Sequence, residues 1–166
     1  DAEEPLQLRC SSAGLHLGSL ALVEDHPRFR DVKFGIIVSS LRALTLFLRK
    51  SARLNRLPDY IIVEGPLAGG HLGATRMEEV NDPKFDFGRV LEEIRRVFQE
   101  LGIALGSIPL IPAGGVNSFQ KLKELFDMGA AGAQIGTPFA VTEECDAHPN
   151  FKKVLARNAD IVGEQR

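Results

Sequence analysis

Cysteine is scarce in this sequence. Cys10 and Cys145 are the two among 166 residues, too few for a disulfide framework, which points to a reducing compartment. Charge of one sign is lacking too: 20 Lys and Arg stand against 22 Asp and Glu, a net of −2. That excludes a basic nucleic-acid arm or an acidic disordered tail as the main business of the chain. No apolar run approaches the roughly 20 residues a membrane-spanning helix needs. No positively charged segment leads into an apolar stretch as in a secretory signal. The expectation is a cytoplasmic protein with neither nucleic acid nor membrane as partner. There is no repeat of fixed period and no low-complexity tract. What is present is an ordinary globular mix, 44% hydrophobic and 25% charged, with enough apolar material for a core. The length is a prior for about one domain. The first residue is Asp1 rather than Met, which leads to the expectation of a processed or partial chain.

Four short apolar runs predict buried strands: Phe34–Val38, Tyr60–Val63, Ile108–Ile111 and Ala131–Ile135. None alternates strictly, so they fit a parallel sheet covered on both faces. Leu6–Arg9 is a weaker fifth candidate. Helical spacing lies between them. Leu41, Leu44 and Leu48 follow Ser40, which is placed to cap. Val90, Leu91, Ile94, Val97, Phe98 and Leu101 form the cleanest amphipathic pattern, with Glu92, Glu93, Arg95 and Arg96 on the other side. A third helix is predicted over Leu122, Leu125 and Phe126, with Ser118 as N-cap and Gly129 just past its end. A fourth starts near Asn150, with Phe151, Val154 and Leu155 expected inward. Alternating strands and helices imply parallel strands joined by right-handed crossovers. An open doubly wound sheet and a (β/α) barrel both satisfy this order. Arg49, Lys50, Arg53 and Arg56 form a basic cluster, read as cations on a solvated helix end or as a binding patch.

In both architectures ligands sit at the carboxyl ends of the strands, so the residues just past each strand carry the functional information. After Tyr60–Val63 comes Glu64-Gly65-Pro66-Leu67-Ala68-Gly69-Gly70-His71-Leu72-Gly73. Gly69 and Gly70 let the backbone approach a flat or anionic ligand closely. His71 then stands at the mouth of the sheet, where it can act as general base or hydrogen-bond donor, or be an incidental surface residue of a glycine turn. The next strand ends in Pro112-Ala113-Gly114-Gly115-Val116 and the last in Gly136-Thr137-Pro138-Phe139. These two glycine segments read as a phosphate cradle built from backbone N–H groups, or as two ordinary turns. No G-x-G-x-x-G comes after the first strand, so this is not a dinucleotide fingerprint. There is no G-x-S-x-G elbow, and Ser40 reads as a cap rather than a nucleophile. His16, His26 and His148 read as surface residues. Glu143, Glu144, Cys145, Asp146 and His148 cluster without matching a standard zinc spacing, so no metal is expected. Cys10 and Cys145 read as structural thiols.

The string from Val63 to Gly73 resembles the nitronate monooxygenase family, formerly called 2-nitropropane dioxygenases. Related flavin-dependent enoyl-acyl-carrier-protein reductases carry a similar string. Four further stretches match in order: Ser12-Ala13-Gly14-Leu15; Ile37-Val38-Ser39-Ser40 with Ala43; Pro109 to Val116; and Gly129 to Phe139. The continuation Thr142 to Ala147, then Phe151-Lys152, also matches, so the resemblance runs from about Leu6 to Ile161. It implies an FMN-binding (β/α)₈ barrel of which this chain supplies strands four to eight, residues 1–166 forming one partial barrel domain without strands one to three. A complete barrel has about 250 residues.

The resemblance implies that His71 is catalytic, taking the α-proton of a nitroalkane or hydrogen-bonding the nitro group, with the nitronate oxidised by way of FMN and molecular oxygen. It implies FMN contacts at Ser39, Glu64, Gly69, Gly70, Ala113, Gly114, Gly115, Gln134, Gly136 and Thr137, with the phosphate after strands seven and eight. The departures are Ser12 for the family's Gly, His16 for its usual Pro, and Pro138 where Arg is frequent; Pro138 removes a backbone N–H beside the phosphate site. A remnant of five strands leaves two edges unpaired, so self-association or a separate barrel half is expected as partner. Two other readings stand beside a nitronate-oxidising flavoenzyme: a flavin-dependent enoyl-thioester reductase, and a half-barrel that assembles without catalysing.

Overall fold

The computed structural model describes residues 7–10, 25–68 and 82–163, with backbone alone for 7–10 and 158–163. Strand β1 (Gln7–Cys10) is followed by β2 (Lys33–Val38), helix α1 (Leu41–Arg53) and β3 (Tyr60–Glu64). After a 3₁₀ turn at Pro83–Phe85 come α2 (Phe87–Glu100), β4 (Leu110–Ala113), α3 (Phe119–Asp127), the short α4 (Thr137–Ala140) and α5 (Pro149–Gly163). The four strands form one sheet in the order β1-β2-β3-β4, and every pairing is parallel. The chain is therefore α/β with a parallel sheet. Among the described residues no helix is long and apolar enough to cross a membrane.

The elements form where local chemistry directs them. The Ser40 hydroxyl accepts the Ala43 N–H at 3.3 Å and starts α1. Asp86 does the same for α2 through Arg89 N–H at 3.0 Å, and Ser118 for α3 through Lys121 N–H at 3.2 Å. Such caps satisfy N–H groups that a helix leaves without partners in its first turn. Gly129 takes a φ of +86° just past α3, the left-handed conformation that ends helices. Lys50 and Arg53 fall in the last turn of α1, where cations complement the helix dipole.

Strand residues alternate between two faces. Phe34, Ile36 and Val38 of β2, Ile61 and Val63 of β3, and Leu110 of β4 share one cluster with Leu44 and Leu48 of α1, Leu91, Ile94 and Phe98 of α2, and Leu125 of α3. Each fully buried aliphatic side chain there contributes about 1.5–3 kcal/mol. The other face is different. Tyr60, Ile62 and Ile111 line an open trough of about 840 Å³. The described helices that join the core thus pack on one face, where the apolar runs led to an expectation of cover on both.

Three expectations are corrected in detail. The third apolar run pairs as Leu110–Ala113, not Ile108–Ile111, because Ile108 is buried just before the strand while pairing with β3 starts at Leu110. Ala131–Ile135 is not a strand; it joins β4 through an isolated bridge between Ala113 and Gln134 and through Ala131 N–H to Leu110 C=O and Gln134 N–H to Pro112 C=O, both 2.9 Å. Finally Phe151 and Val154 are about half exposed rather than inward, because no described side chain of α5 enters the core cluster.

The amino end of the sheet is tied by Asp59. Its carboxylate accepts Lys33 Nζ at 2.9 Å, Phe34 N–H at 3.0 Å and an Arg56 NH2 group at 2.9 Å. The same Arg56 group donates to Val32 C=O at 2.8 Å, and the guanidinium lies 4.9 Å from the Phe34 ring centre. The fourth cation of the basic cluster is thus an internal strut. Burial works to raise the Asp59 pKa; the Lys33 bond, the Phe34 N–H and the Arg56 charge outweigh it and hold the group below its ordinary value. A lowered native pKa stabilises the fold above the unfolded value of about 3.9, and that stability is lost as pH falls through the native one. Asp59→Ala is expected to cost about 1–3 kcal/mol in denaturant unfolding, since it removes the carboxylate partner of the largely buried Arg56 and of the Phe34 N–H. Asp59→Asn should flatten the acid limb of stability between neutral pH and about pH 3 relative to wild type; an unchanged limb would remove Asp59 from this role.

Candidate functional site

Parallel pairing brings the carboxyl ends of β2, β3 and β4 to one rim. Val38 pairs with Val63 and Glu64 with Ala113, and Ala113 bridges to Gln134. Glu64, Ala113 and Gln134 therefore form one row across the rim, and Ser39 comes after Val38 at the same level. Gly65 N–H donates to Ala113 C=O at 2.9 Å and extends the row by one bond. Four of the residues expected to contact a cofactor are thus neighbours, although they lie up to 95 positions apart in sequence (from Ser39 to Gln134). Ala113 is buried, Ser39 and Glu64 are half-buried and Gln134 is exposed.

Behind this row, between α1 and α2, is a cavity of about 280 Å³ lined by Ser39, Glu64 and Gly65 with Val63, Phe87 and Val90 among its apolar walls. Phe85 and Lys84 of the 3₁₀ turn also border it. Those two were not singled out from sequence. The available signal was the pair of caps around them: Asp82 accepts Lys84 N–H at 2.9 Å and Asp86 caps α2. That Lys84 N–H bond is the main reason the Asp82 pKa is lowered.

The two glycine segments differ. Gly114 and Gly115 both have positive φ, +106° and +69°. A Cβ on Gly114 would stand 2.5 Å from Ala68 N and 2.8 Å from Leu67 C. The space above Gly114 is thus filled by the chain's own turn after β3. Gly115 is exposed, and a Cβ there would meet the Leu67 side chain at 2.9 Å. Gly136 is exposed with nothing among the described residues within 4 Å of a built Cβ, and Thr137 beside it is exposed. An anionic group thus has open approach to the backbone of Gly136 and the hydroxyl of Thr137, and to Gly115 past a flexible side chain. Pro138 lies in the first turn of α4 and offers no N–H. The residues fit a phosphate at Gly115, Gly136 and Thr137, and not on the crowded side of Gly114.

Gly69, Gly70 and His71 lie outside the described residues. Among the described residues no group of His, Cys, Asp or Glu is arranged to hold a metal ion. The acidic turn near Cys145 is organised by a cation of the chain itself: Lys152 Nζ donates to Thr142 C=O at 2.6 Å and Cys145 C=O at 2.5 Å.

Known proteins are similar to this chain in sequence and in fold. The family model described as nitronate monooxygenase matches residues 19–162. The chain is 33% identical over 101 residues to a probable nitronate monooxygenase of Bacillus subtilis (strain 168), covering 60% of this chain and 26% of that protein. It is 27% identical over 97 residues to a nitronate monooxygenase of Pseudomonas aeruginosa, covering 58% and 25%. The chain thus matches about a quarter of the length of these relatives. Its fold is similar to a FabK structure from Thermotoga maritima, with a TM-score of 0.57 and 22% identity over 89% of this chain and 40% of that one.

The open and crowded glycines predict opposite responses to alanine. Gly136→Ala, at a φ of −123°, should change folding stability by no more than about 0.5 kcal/mol. Gly129→Ala, at positive φ and with an Arg95 NH2 group 2.5 Å from the built Cβ, should lose about 1–2 kcal/mol. Thermal melts of the two variants check the contrast; equal losses would contradict the open space described at Gly136.

Proposed function

The chain belongs to the nitronate monooxygenase family, and from that premise we propose that it forms the carboxyl-terminal part of an FMN-dependent oxidoreductase that oxidises nitronates or nitroalkanes with molecular oxygen. The observation that carries this reading is the row of Ser39, Glu64, Ala113 and Gln134 at the rim, flanked by open backbone at Gly115 and Gly136. In this reading residues 1–166 are one partial (β/α)₈ barrel. β1 to β4 correspond to barrel strands four to seven, Ala131–Ile135 takes the place of strand eight, and strands one to three come from elsewhere.

The residues divide the work. Gly115, Gly136 and Thr137 hold the FMN phosphate through backbone N–H and hydroxyl groups, as glycine turns at strand ends hold anions elsewhere. Ser39, Glu64, Gly69, Gly70, Ala113 and Gln134 offer polar and backbone contacts to the rest of the cofactor. Bound FMN supplies the electron acceptor and the place where oxygen is consumed. His71 takes the proton from the carbon that bears the nitro group of a neutral nitroalkane, which leaves the nitronate. A nitronate that arrives already ionised has no such need. The open trough behind Ile62 and Ile111 is covered by the remaining barrel half or by a second copy of the chain. The scarcity of cysteine favours a reducing compartment, and the reading takes the cytoplasm as the place of action.

Two measurements test the reading. The purified chain titrated with FMN should bind about one equivalent, seen as a shifted flavin spectrum; a chain that takes up no flavin at high FMN overturns the assignment of a working site to these residues. His71→Ala should lower turnover of neutral nitroalkane by about 10²–10⁴-fold, the usual contribution of a general base, and turnover of preformed nitronate far less. An equal loss on both substrates would overturn the base role.

A further inference from the structure

Gly114 sits at the end of a strand expected to cradle a phosphate, yet its open side faces protein. The turn Gly65-Pro66-Leu67-Ala68 is closed by Ala68 N–H to Gly65 C=O at 3.0 Å, with Pro66 in the position that favours such a turn. Its first residue is bonded to β4 through Gly65 N–H and Ala113 C=O at 2.9 Å. Its last residue rests on Gly114, where a Cβ would meet Ala68 N at 2.5 Å and Leu67 C at 2.8 Å. Those are backbone atoms, which cannot rotate away as a side chain can. The Leu67 side chain, by contrast, covers Gly115 with a movable methyl.

We propose that Gly114 is a positioning residue: it seats the turn after β3 and so sets where the glycine-rich string that carries His71 leaves the sheet. This rests on the reading of His71 given above. His71 is three residues beyond Ala68 in the sequence, so the turn is the last described anchor before it. A methyl on Gly114 requires the turn to back away from 2.5 Å to the 3.4 Å or more of an ordinary contact. A displacement of that size, about 1 Å, can cost about 10²-fold when it is passed to a reacting group. The positive φ of Gly114, +106°, serves the same purpose, because it lets the strand end pass under the turn in a conformation that L side chains rarely adopt. The requirement for glycine at this position thus comes from the neighbouring turn rather than from the phosphate.

The test is amide hydrogen exchange on the full chain without flavin, read by NMR at Ala68, followed by flavin titration and kinetics per bound flavin. In wild type the Ala68 amide should be protected. In Gly114→Ala its exchange should rise about tenfold or more, and in Gly136→Ala it should not change. Gly114→Ala should keep its FMN Kd within about threefold, lose about 10²-fold in kcat on neutral nitroalkane with little change in KM, and lose much less on preformed nitronate. Unchanged exchange at Ala68 together with weakened FMN binding would overturn the proposal and make Gly114 a phosphate contact. If Gly114→Ala does not fold, the wild-type amide decides: an unprotected Ala68 overturns the seat, and a protected one supports it. A chain that binds no flavin defeats the functional reading while the exchange result still decides this one.

Discussion

Parallel pairing is the constraint on which everything else here depends. It aligns β2, β3 and β4 so that their last residues stand at one rim, and it forces each return connection to run over a face of the sheet, where α1 and α2 bury their apolar stripes. Residues that are distant in sequence become a row at the rim because hydrogen-bond register leaves them nowhere else to go. The amino end is tied independently by Asp59, whose three donors come from β2 and from the loop before β3. Charges needed for stability and backbone needed for binding are therefore at opposite ends of the strands. Such a division lets the carboxyl ends vary without unfolding the sheet.

The rim shows that glycine at a strand end has more than one physical meaning. Among the described residues nothing approaches Gly136, while Gly114 is met by a neighbouring backbone. Both satisfy the rule that close approach needs the absence of a side chain. The rule does not say what approaches. From the string Ala113-Gly114-Gly115 alone a ligand is as good an answer as a second turn of protein. The structure divides the pair, giving Gly114 to the turn and leaving Gly115 beside a movable side chain.

Much of the fold was legible because its signals are local. Ser40, Ser118 and Gly129 act through atoms within a few residues, so caps and ends fall where the sequence places them. The spacing of Leu91, Ile94 and Phe98 reports one buried face and needs no knowledge of its partner. Strand limits were less legible, because an apolar run reports burial and not pairing: Ile108 is buried without belonging to β4. Ala131–Ile135 has the composition of a buried strand, yet only the bridge at Gln134 forms. The Asp59–Arg56 strut was illegible as such, since a basic cluster at a helix end looks alike whether its charges face solvent or a carboxylate three residues on. Of the site, Ser39, Glu64, Ala113 and Gln134 were expected only through the family resemblance; that they stand in one row, and that Ala68 sits over Gly114, depends on strand pairing that the sequence does not display.

The two faces of the sheet bear on which architecture the strands belong to. A doubly wound sheet needs helices on both sides, and among the described residues the helices that join the core lie on one. On the other side the Tyr60 ring lies across Gly35, whose missing Cβ makes room for it. A large side chain over a small one on the adjacent strand is how the inside of a closing sheet is filled. Among the described residues the buried Tyr60 hydroxyl has no hydrogen-bond partner. A sheet curved around such a face leaves it solvent-facing only until further strands close over it. That geometry suits a closing sheet, and in the proposed reading it makes the trough beside Ile62 and Ile111 the surface that further strands would cover.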